Sequence, residues 1–286
     1  MDDETKGVLL MVVSGTSFGT LGILGKLASA AGLSIPTVLV YRFLFGSLVF
    51  WAMLAAAGRL RLLRGRPLGT AVLLGGGCYA AQSGLYFWGL EFMTAGLAGI
   101  VVYTYPVFVL VLSFLLLEEA ITRYTVVALV LALGGVALIT GVDPAGADPR
   151  GIAIVLGAAL VYAVYYVTSH ATLENVDART LTAHVLPAAA VSFLAFGTAT
   201  GQLTVPAGGY EWGVLFSIGV VGTAIPIGTF FAGLAYIGAN RASIISSLEP
   251  ASAVLLGVLV LGEPLTLTTV VGGLLVLGGV LLVERE

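Results

Sequence analysis

The chain has 286 residues, of which 59% are hydrophobic and only 9% are charged, and its formal net charge is −3. Soluble domains carry about 25% charged residues, so this composition excludes a protein that is surrounded by water on all sides. The sequence has no basic patch for nucleic acid, and its single cysteine, Cys78, excludes an intrachain disulfide and a cysteine metal cluster. We therefore expect a membrane protein that crosses the bilayer several times.

Ten apolar segments follow one another along the chain, each long enough to cross a hydrocarbon core of ~30 Å. Helix is predicted for each segment, because a segment in lipid must satisfy its own backbone hydrogen bonds and these runs are too uniformly apolar for barrel strands. The sequence thus predicts an all-α membrane protein with ten transmembrane helices, at residues 7–28, 35–57, 69–89, 93–117, 121–141, 151–169, 181–200, 212–237, 242–261 and 265–283.

The second half of the chain repeats the first at a constant offset of 144 residues, the separation of Pro106 and Pro250. Gly233–Leu282 aligns with Gly89–Leu138 without gaps, and the similarity fades only over the second and seventh segments. Because each half has five segments, an odd number, the second half enters the membrane from the opposite face. The sequence predicts two inverted five-helix repeats, at residues 1–142 and 149–286.

Basic residues set the predicted orientation. With ten spans, the loop after the second segment lies on the same side as both termini, and it carries Arg59, Arg61, Arg64 and Arg66. Positive charge is concentrated in cytoplasmic loops. Both termini are therefore predicted to be cytoplasmic, in a multi-pass protein of the cytoplasmic (plasma) membrane.

Several short motifs occur in a fixed order along these segments. They are Tyr41-Arg42-Phe43-Leu44-Phe45, then Ser247-Leu248-Glu249-Pro250, Leu261-Gly262-Glu263-Pro264-Leu265-Thr266 and the glycine-rich stretch 272–280. Together they make the chain resemble the drug/metabolite transporter superfamily, and in particular its ten-span EamA-type transporters, over essentially its whole length. The seventh segment departs from the pattern in lacking a counterpart of Arg42, and the ninth lacks a lysine-rich nucleotide-sugar motif.

The resemblance implies a central substrate cavity that opens alternately to the two sides of the membrane. The third, fourth, eighth and ninth segments are expected to line it, with help from the first and sixth. Export of amino acids or related metabolites is what the resemblance implies for activity.

Glu249 is the strongest candidate for chemistry. It lies about eight residues beyond Arg241, or ~12 Å deep at the helical rise, near the midplane of the bilayer. A charge at that depth is costly, so the side chain must face a wet cavity, pair with a cation or be protonated. It is predicted to bind a substrate amine or to couple transport to protons. The alternative is a structural glutamate that is hydrogen-bonded to a neighbouring helix.

Prolines interrupt three of the predicted helices, because proline lacks the backbone N–H of a helical turn. Pro106 and Pro250 do so at matching positions of the two halves, and Pro226 does so in the eighth segment. Breaks at corresponding positions of two repeats point to a transport site, and packing kinks are the alternative.

Polar and aromatic side chains complete the predicted substrate site. Four of them share one face of the third segment, which faces either a cavity or another helix: Tyr79, Gln82, Ser83 and Tyr86. Tyrosine can stack on a ligand or hydrogen-bond to it. The remaining predicted substrate-binding residues are Tyr103, Tyr105, Tyr162, Tyr165, Thr223, Phe230, Ser246 and Ser247.

Three further charged residues are read as structural. Arg42 lies about seven residues into the second segment from its outer end, where snorkelling or an ion pair is preferred over binding of a substrate carboxylate. Glu119 and Glu263 end their segments, where capping is preferred over substrate contact.

No metalloprotease motif, phosphate-binding loop or nucleophile elbow is present, so neither an enzyme nor a cofactor or metal is predicted. The expected function is secondary transport of small organic metabolites by alternating access, with protons as the first hypothesis for the coupling ion. Its expected partners are the lipid bilayer and a small-molecule substrate. The alternatives are an exchanger or importer of sugar-like or phosphorylated metabolites, and a membrane protein that does not transport.

Overall fold

A computed structural model describes residues 2–117, 123–142, 148–173 and 175–283, and these residues contain helices and no β-strand. The helices are α1 (Asp3–Ala30), α2 (Ile35–Ala56), α3 (Arg66–Leu73), α4 (Ala80–Gly89), α5 (Ala95–Val102), α6 (Tyr105–Leu117), α7 (Arg123–Val142), α8 (Pro149–Leu173), α9 (Ala178–Thr200), α10 (Gly209–Gly219), α11 (Ile225–Ser246), α12 (Leu248–Leu261) and α13 (Leu267–Val283). Two π-helical segments, Leu74–Tyr79 and Val220–Ala224, join α3 to α4 and α10 to α11.

Six helical stretches within the described residues are long and apolar enough to cross a membrane. They are Asp3–Ala30, Ile35–Ala56, Ala95–Leu115, Pro149–Ser169, Ala178–Thr200 and Gly209–Gly238, and three shorter apolar helices lie at Val126–Leu138, Leu248–Leu261 and Leu267–Leu282. The predicted all-helical membrane class is therefore confirmed. The count of ten spans stays a prediction, since none of the six long stretches covers the predicted third, fifth, ninth or tenth segment.

Side-chain caps determine where several helices begin. Asp2 accepts a hydrogen bond of 2.8 Å from the backbone N–H of Thr5 at the start of α1. Hydrogen bonds from the side chain of Thr5 and, to a lesser extent, from this N–H lower the pKa of the Asp2 carboxyl by stabilising its charged form. Ser34 and Asp177 cap α2 and α9 in the same way. At the other end of α9, Gly201 takes φ = 66°, a left-handed conformation that favours glycine.

Helix contacts between the two halves have counterparts in which the roles of the first and the second half are exchanged. Helix α1 packs along α11, while its counterpart α8 packs along α4. A Cβ atom on Gly7 would collide with the side chain of Ile237. A Cβ atom on Gly151, the counterpart of Gly7, would lie 3.1 Å from the Cε of Met93, the counterpart of Ile237. The same close approach therefore occurs twice, once for each repeat.

A second symmetric contact joins α7 to its own counterpart, α13. A Cβ atom on Gly135 would lie 2.5 Å from the carbonyl oxygen of Gly272, and one on Gly279 would lie 2.7 Å from the carbonyl oxygen of Ala128. Both glycines and both carbonyls are related by the offset of 144 residues. Small residues at such crossings let two backbones approach closely.

The repeat extends to α2 and α9, where the sequence similarity fades. Gly75 would place a Cβ atom against the backbone of Val185 in α9, and its counterpart Gly219 would place one 2.5 Å from the Cβ of Phe45 in α2. The chain is thus built from two structural repeats. The predicted repeat limits, 1–142 and 149–286, stay predictions, and the link at 143–147 lies outside the described residues.

Candidate functional site

Two helix interruptions lie at matching positions of the repeats. Helix α5 ends at Val102 and α6 begins at Tyr105, while α11 ends at Ser246 and α12 begins at Leu248. Pro106 is the second residue of α6, and Pro250 is the third residue of α12. Proline is tolerated in a first turn because no N–H donor is needed there. Both prolines therefore begin new helices and do not kink continuous ones.

The π-helical segments form a second matched pair. Residues 74–79 correspond by the offset to residues 218–223, which overlap the segment Val220–Ala224. The hydroxyl of Thr223 donates to the carbonyl oxygen of Ile218, five residues earlier, at 3.0 Å. Pro226 follows as the second residue of α11. Wide turns of this kind often occur at functional sites.

A cavity of about 90 Å³ lies between the two halves, next to these irregular segments. It receives Phe18, Gly19 and Leu21 from α1 and Ala253 from α12. Seven of the predicted substrate-binding residues line it: Tyr79, Gln82, Tyr86, Tyr103, Tyr105, Tyr162 and Glu249. The structure therefore brings together side chains from both halves, as a shared substrate site requires.

Tyrosine rings form one wall of this cavity. The centroids of the Tyr105 and Tyr162 rings are 4.7 Å apart, and Tyr79 and Tyr103 lie 6.2 Å from Tyr162 and 6.0 Å from Tyr105 respectively. Tyr165 packs behind this wall, 5.4 Å from Tyr79, and does not line the cavity. The wall offers ring faces and hydroxyl groups to a ligand.

Arg42 also lines the cavity. The preferred interpretation was snorkelling or an ion pair; the side chain does not reach the outer surface, and the described residues give it no ion pair within 4 Å. Only 4% of the residue is exposed. Its Nε donates to the hydroxyl of Thr223 at 3.1 Å, and a terminal nitrogen donates to the hydroxyl of Ser83 at 3.5 Å. The guanidinium carbon lies 4.8 Å from the centroid of the Phe43 ring and 5.5 Å from that of Phe87.

Ser83 and Thr223 do not line the cavity but lie behind its surface, where they contact Arg42. Both residues are completely buried, and both accept hydrogen bonds from Arg42. They come from different halves of the chain, so Arg42 is held where the repeats meet. Sequence reasoning missed this arginine as a site residue, although its polar partner Ser83 belongs to the polar face of the third segment.

Glu249 lies in the first turn of α12, directly after the interruption at Ser247. The positive end of the helix dipole there favours a carboxylate. The structure gives Glu249 no hydrogen bond within the described residues, and the one ion pair shorter than 4 Å in that part of the chain joins Lys6 to Asp3. Arg42 and Glu249 therefore line the same cavity without contacting each other.

The remaining predicted residues lie outside the cavity lining. Phe230 packs edge-on against Phe231 at 5.6 Å, the hydroxyl of Ser246 donates to the carbonyl of Ala242, and Ser247 forms the link between α11 and α12. The eighth segment, which was expected to line the cavity, contributes no residue to its described lining and packs against α1. Ser14 of α1 donates to the carbonyl oxygen of Pro226 at 2.8 Å.

Glu263 caps a helix of the opposite half. Its two carboxylate oxygens accept from the backbone N–H groups of Ala95 and Gly96, at 2.6 and 3.0 Å, at the start of α5. Its counterpart Glu119 lies outside the described residues.

A metal site is a separate question. Among the residues that the structure describes, no group of three or more histidine, cysteine, aspartate or glutamate side chains is placed to hold a metal ion.

Two helical repeats that enclose a shared polar cavity between apolar helices define a transporter-type membrane protein. The chain matches the EamA-like transporter family over residues 5–141 and 149–285, and it belongs to that family. The sequence-based assignment to the EamA-type transporters is thereby confirmed.

The relatives that the chain resembles are named as transporters. An uncharacterised transporter from Archaeoglobus fulgidus is 31% identical over 70% of this chain and 71% of its own length. The pseudopaline exporter CntI from Pseudomonas aeruginosa is 28% identical over 77% and 76%. A crystal structure with 22% identity superposes with a TM-score of 0.68 over 97% of this chain and 96% of that one, which supports the fold alone.

Proposed function

We propose that the protein is a secondary transporter that exports an amino acid or a related small organic solute by alternating access. In this proposal ten spans form two inverted five-helix repeats in the cytoplasmic membrane, with both termini in the cytoplasm. The observation that carries the proposal is the cavity, which is shared by both halves and lined by Tyr105 and Glu249 at the starts of two interrupted helices. Such starts of discontinuous helices are where secondary transporters bind their substrates.

Protons are the proposed coupling ion, and Glu249 is the residue that exchanges them. A carboxylate inside a membrane protein is costly in its charged form unless a cation or water stabilises it. Glu249 has no cationic partner within 4 Å among the described residues. Protonation when the cavity faces one side and release when it faces the other would couple an inward proton to an outward solute.

An importer or exchanger of phosphorylated metabolites fits the cavity less well. A phosphate group calls for several cationic side chains or backbone N–H groups. Within the described lining, Arg42 is the single cationic side chain. The relative CntI is named as an exporter of pseudopaline, which also favours export over import.

The test is uptake of labelled amino acids into proteoliposomes, with and without a pH gradient. We expect the native protein to accumulate at least one amino acid, and we expect Glu249→Gln to lose its response to the gradient. Glu91→Gln is the matched control, because it makes the same chemical change outside the cavity. If no amino acid enters above the level of empty liposomes, the proposed substrate class is wrong. If Glu249→Gln responds to the gradient like the native protein, protons are not exchanged at this residue.

A further inference from the structure

Two opposite charges line the central cavity on different helices without forming an ion pair. Arg42 belongs to α2 and Glu249 to α12, and no ion pair within 4 Å joins them in the described part of the chain. A charge that is removed from water without an ion-pair partner is destabilised. A ligand that brings both a negative and a positive group would stabilise both charges at once.

The guanidinium of Arg42 is positioned to receive an anion. Arginine has five N–H donors, and the contacts with Thr223 and Ser83 use one on Nε and one on a terminal nitrogen. The rings of Phe43 and Phe87 lie against the guanidinium and restrict its plane. Three donors on the two terminal nitrogens remain for a carboxylate, which arginine often binds through two parallel hydrogen bonds.

The surroundings of Glu249 suit a cation. Tyr105 and Tyr162 line the cavity together with Glu249, and their ring centroids are 4.7 Å apart. Aromatic faces attract an ammonium group through their negative π-systems, and the carboxylate adds a full negative charge. An ammonium group at this place would therefore meet both kinds of attraction.

We propose that the cavity binds a zwitterion, with its carboxylate at Arg42 and its ammonium group at Glu249. The proposal rests on the proposed transport function and adds to it the two residues that select the substrate by charge. Molecules that carry only one of the two groups leave the other protein charge unpaired. The cavity therefore discriminates against simple amines and simple carboxylates of the same shape.

The test compares three probes of one skeleton: an amino acid, its decarboxylated amine and its deaminated carboxylate. Binding is measured by titration calorimetry on the purified protein, first with the standard amino acids and then with the two analogues of the one that binds most tightly. We expect the native protein to bind the amino acid about tenfold or more tightly than either analogue.

Two variants assign the two ends of the ligand. Arg42→Gln is expected to bind the amino acid and its decarboxylated amine equally well, because no cationic group remains to bind the carboxylate. Glu249→Gln is expected to lose its discrimination against the deaminated carboxylate. Arg66→Gln and Glu91→Gln make the same chemical changes outside the cavity and should keep the native preferences. A purely structural role would alter the affinity for all three probes alike and leave the ratios unchanged.

Each unfavourable result has a distinct meaning. If no amino acid binds, or if both variants keep the native ratios, the assignment of a zwitterion to Arg42 and Glu249 is overturned. Because calorimetry does not depend on transport, proteoliposomes that accumulate an amino acid while the ratios stay unchanged would refute the binding mode and leave the transport function standing.

Discussion

The bond between Glu263 and the start of α5 offers a direct test of what holds the two halves together. Four N–H groups at a helix start lack partners inside the helix. Glu263 accepts from those of Ala95 and Gly96, and the side chain of the capping residue Thr94 accepts from that of Leu97. Three of the four are therefore satisfied, two of them by the opposite repeat.

Glu263→Gln keeps the size of the side chain but replaces one acceptor oxygen with an NH₂ donor. One of the two N–H groups then faces another donor and loses its partner. A hydrogen bond to a charged group contributes about 1.5–3 kcal/mol, and Glu263 is only partly buried, so we expect a loss of about 2 kcal/mol. Since 1 kcal/mol corresponds to roughly 2–4 °C in a chain of this size, the melting temperature should fall by about 4–8 °C.

The assay is thermal unfolding of the purified protein in detergent. Glu91→Gln is the control, because Glu91 and Glu263 line the same surface pocket together with Lys26, and both substitutions remove one negative charge. The two variants differ in the helix cap alone. If Glu263→Gln melts within the experimental error of Glu91→Gln, the cap does not stabilise the fold and the reasoning is refuted.

Two further substitutions test the packing between helices. Gly135→Ala puts a methyl group 2.5 Å from the carbonyl oxygen of Gly272 and should cost about 1–3 kcal/mol through overpacking, measured as a lower melting temperature. Gly134→Ala, where a Cβ atom meets nothing within 4 Å, should not, and equal melting of the two would contradict the close crossing of α7 and α13. Trp51→Phe removes the N–H group that donates a hydrogen bond of 2.5 Å from Trp51 Nε1 to the carbonyl oxygen of Ala183. This substitution should lower the free energy of unfolding by about 1 kcal/mol. An unchanged free energy of unfolding would show that this bond adds nothing to stability.

The features of the fold that were predictable from sequence are those that depend on neighbours along the chain. The 144-residue offset locates Pro106 and Pro250, and each of them begins a helix at an interruption. The same offset relates Gly135 to Gly279, and both lie at the crossing of α7 and α13. Periodicity alone suffices for these features, because each repeat unit folds by the same local rules.

The positions of the charged side chains in the cavity were not predictable in the same way. Counting residues from the segment end placed Arg42 at a depth from which its side chain reaches the outer surface. In the structure the side chain points inward instead, because it donates hydrogen bonds to the hydroxyls of Ser83 and Thr223 on two other helical segments. Pro250 indicated an interruption near Glu249, but the sequence did not show that the break at Ser247 puts Glu249 in the first turn of a new helix. The inward position of Arg42 depends on tertiary contacts that single-segment patterns do not contain.

The two repeats share their scaffold but not the chemistry of their cavity residues. Tyr105 occupies the position of Glu249, and the counterpart of Arg42 is Leu186, which is completely buried. In the proposed alternating-access cycle, exchange of the contacts between the repeats would open either side of the membrane at similar cost, since the glycine crossings are present twice. The charged groups Arg42 and Glu249 occur once, next to the place where the repeats meet. A substrate that is bound as proposed would face both sides in turn without transfer between two binding sites, so an asymmetric cavity is compatible with a symmetric scaffold.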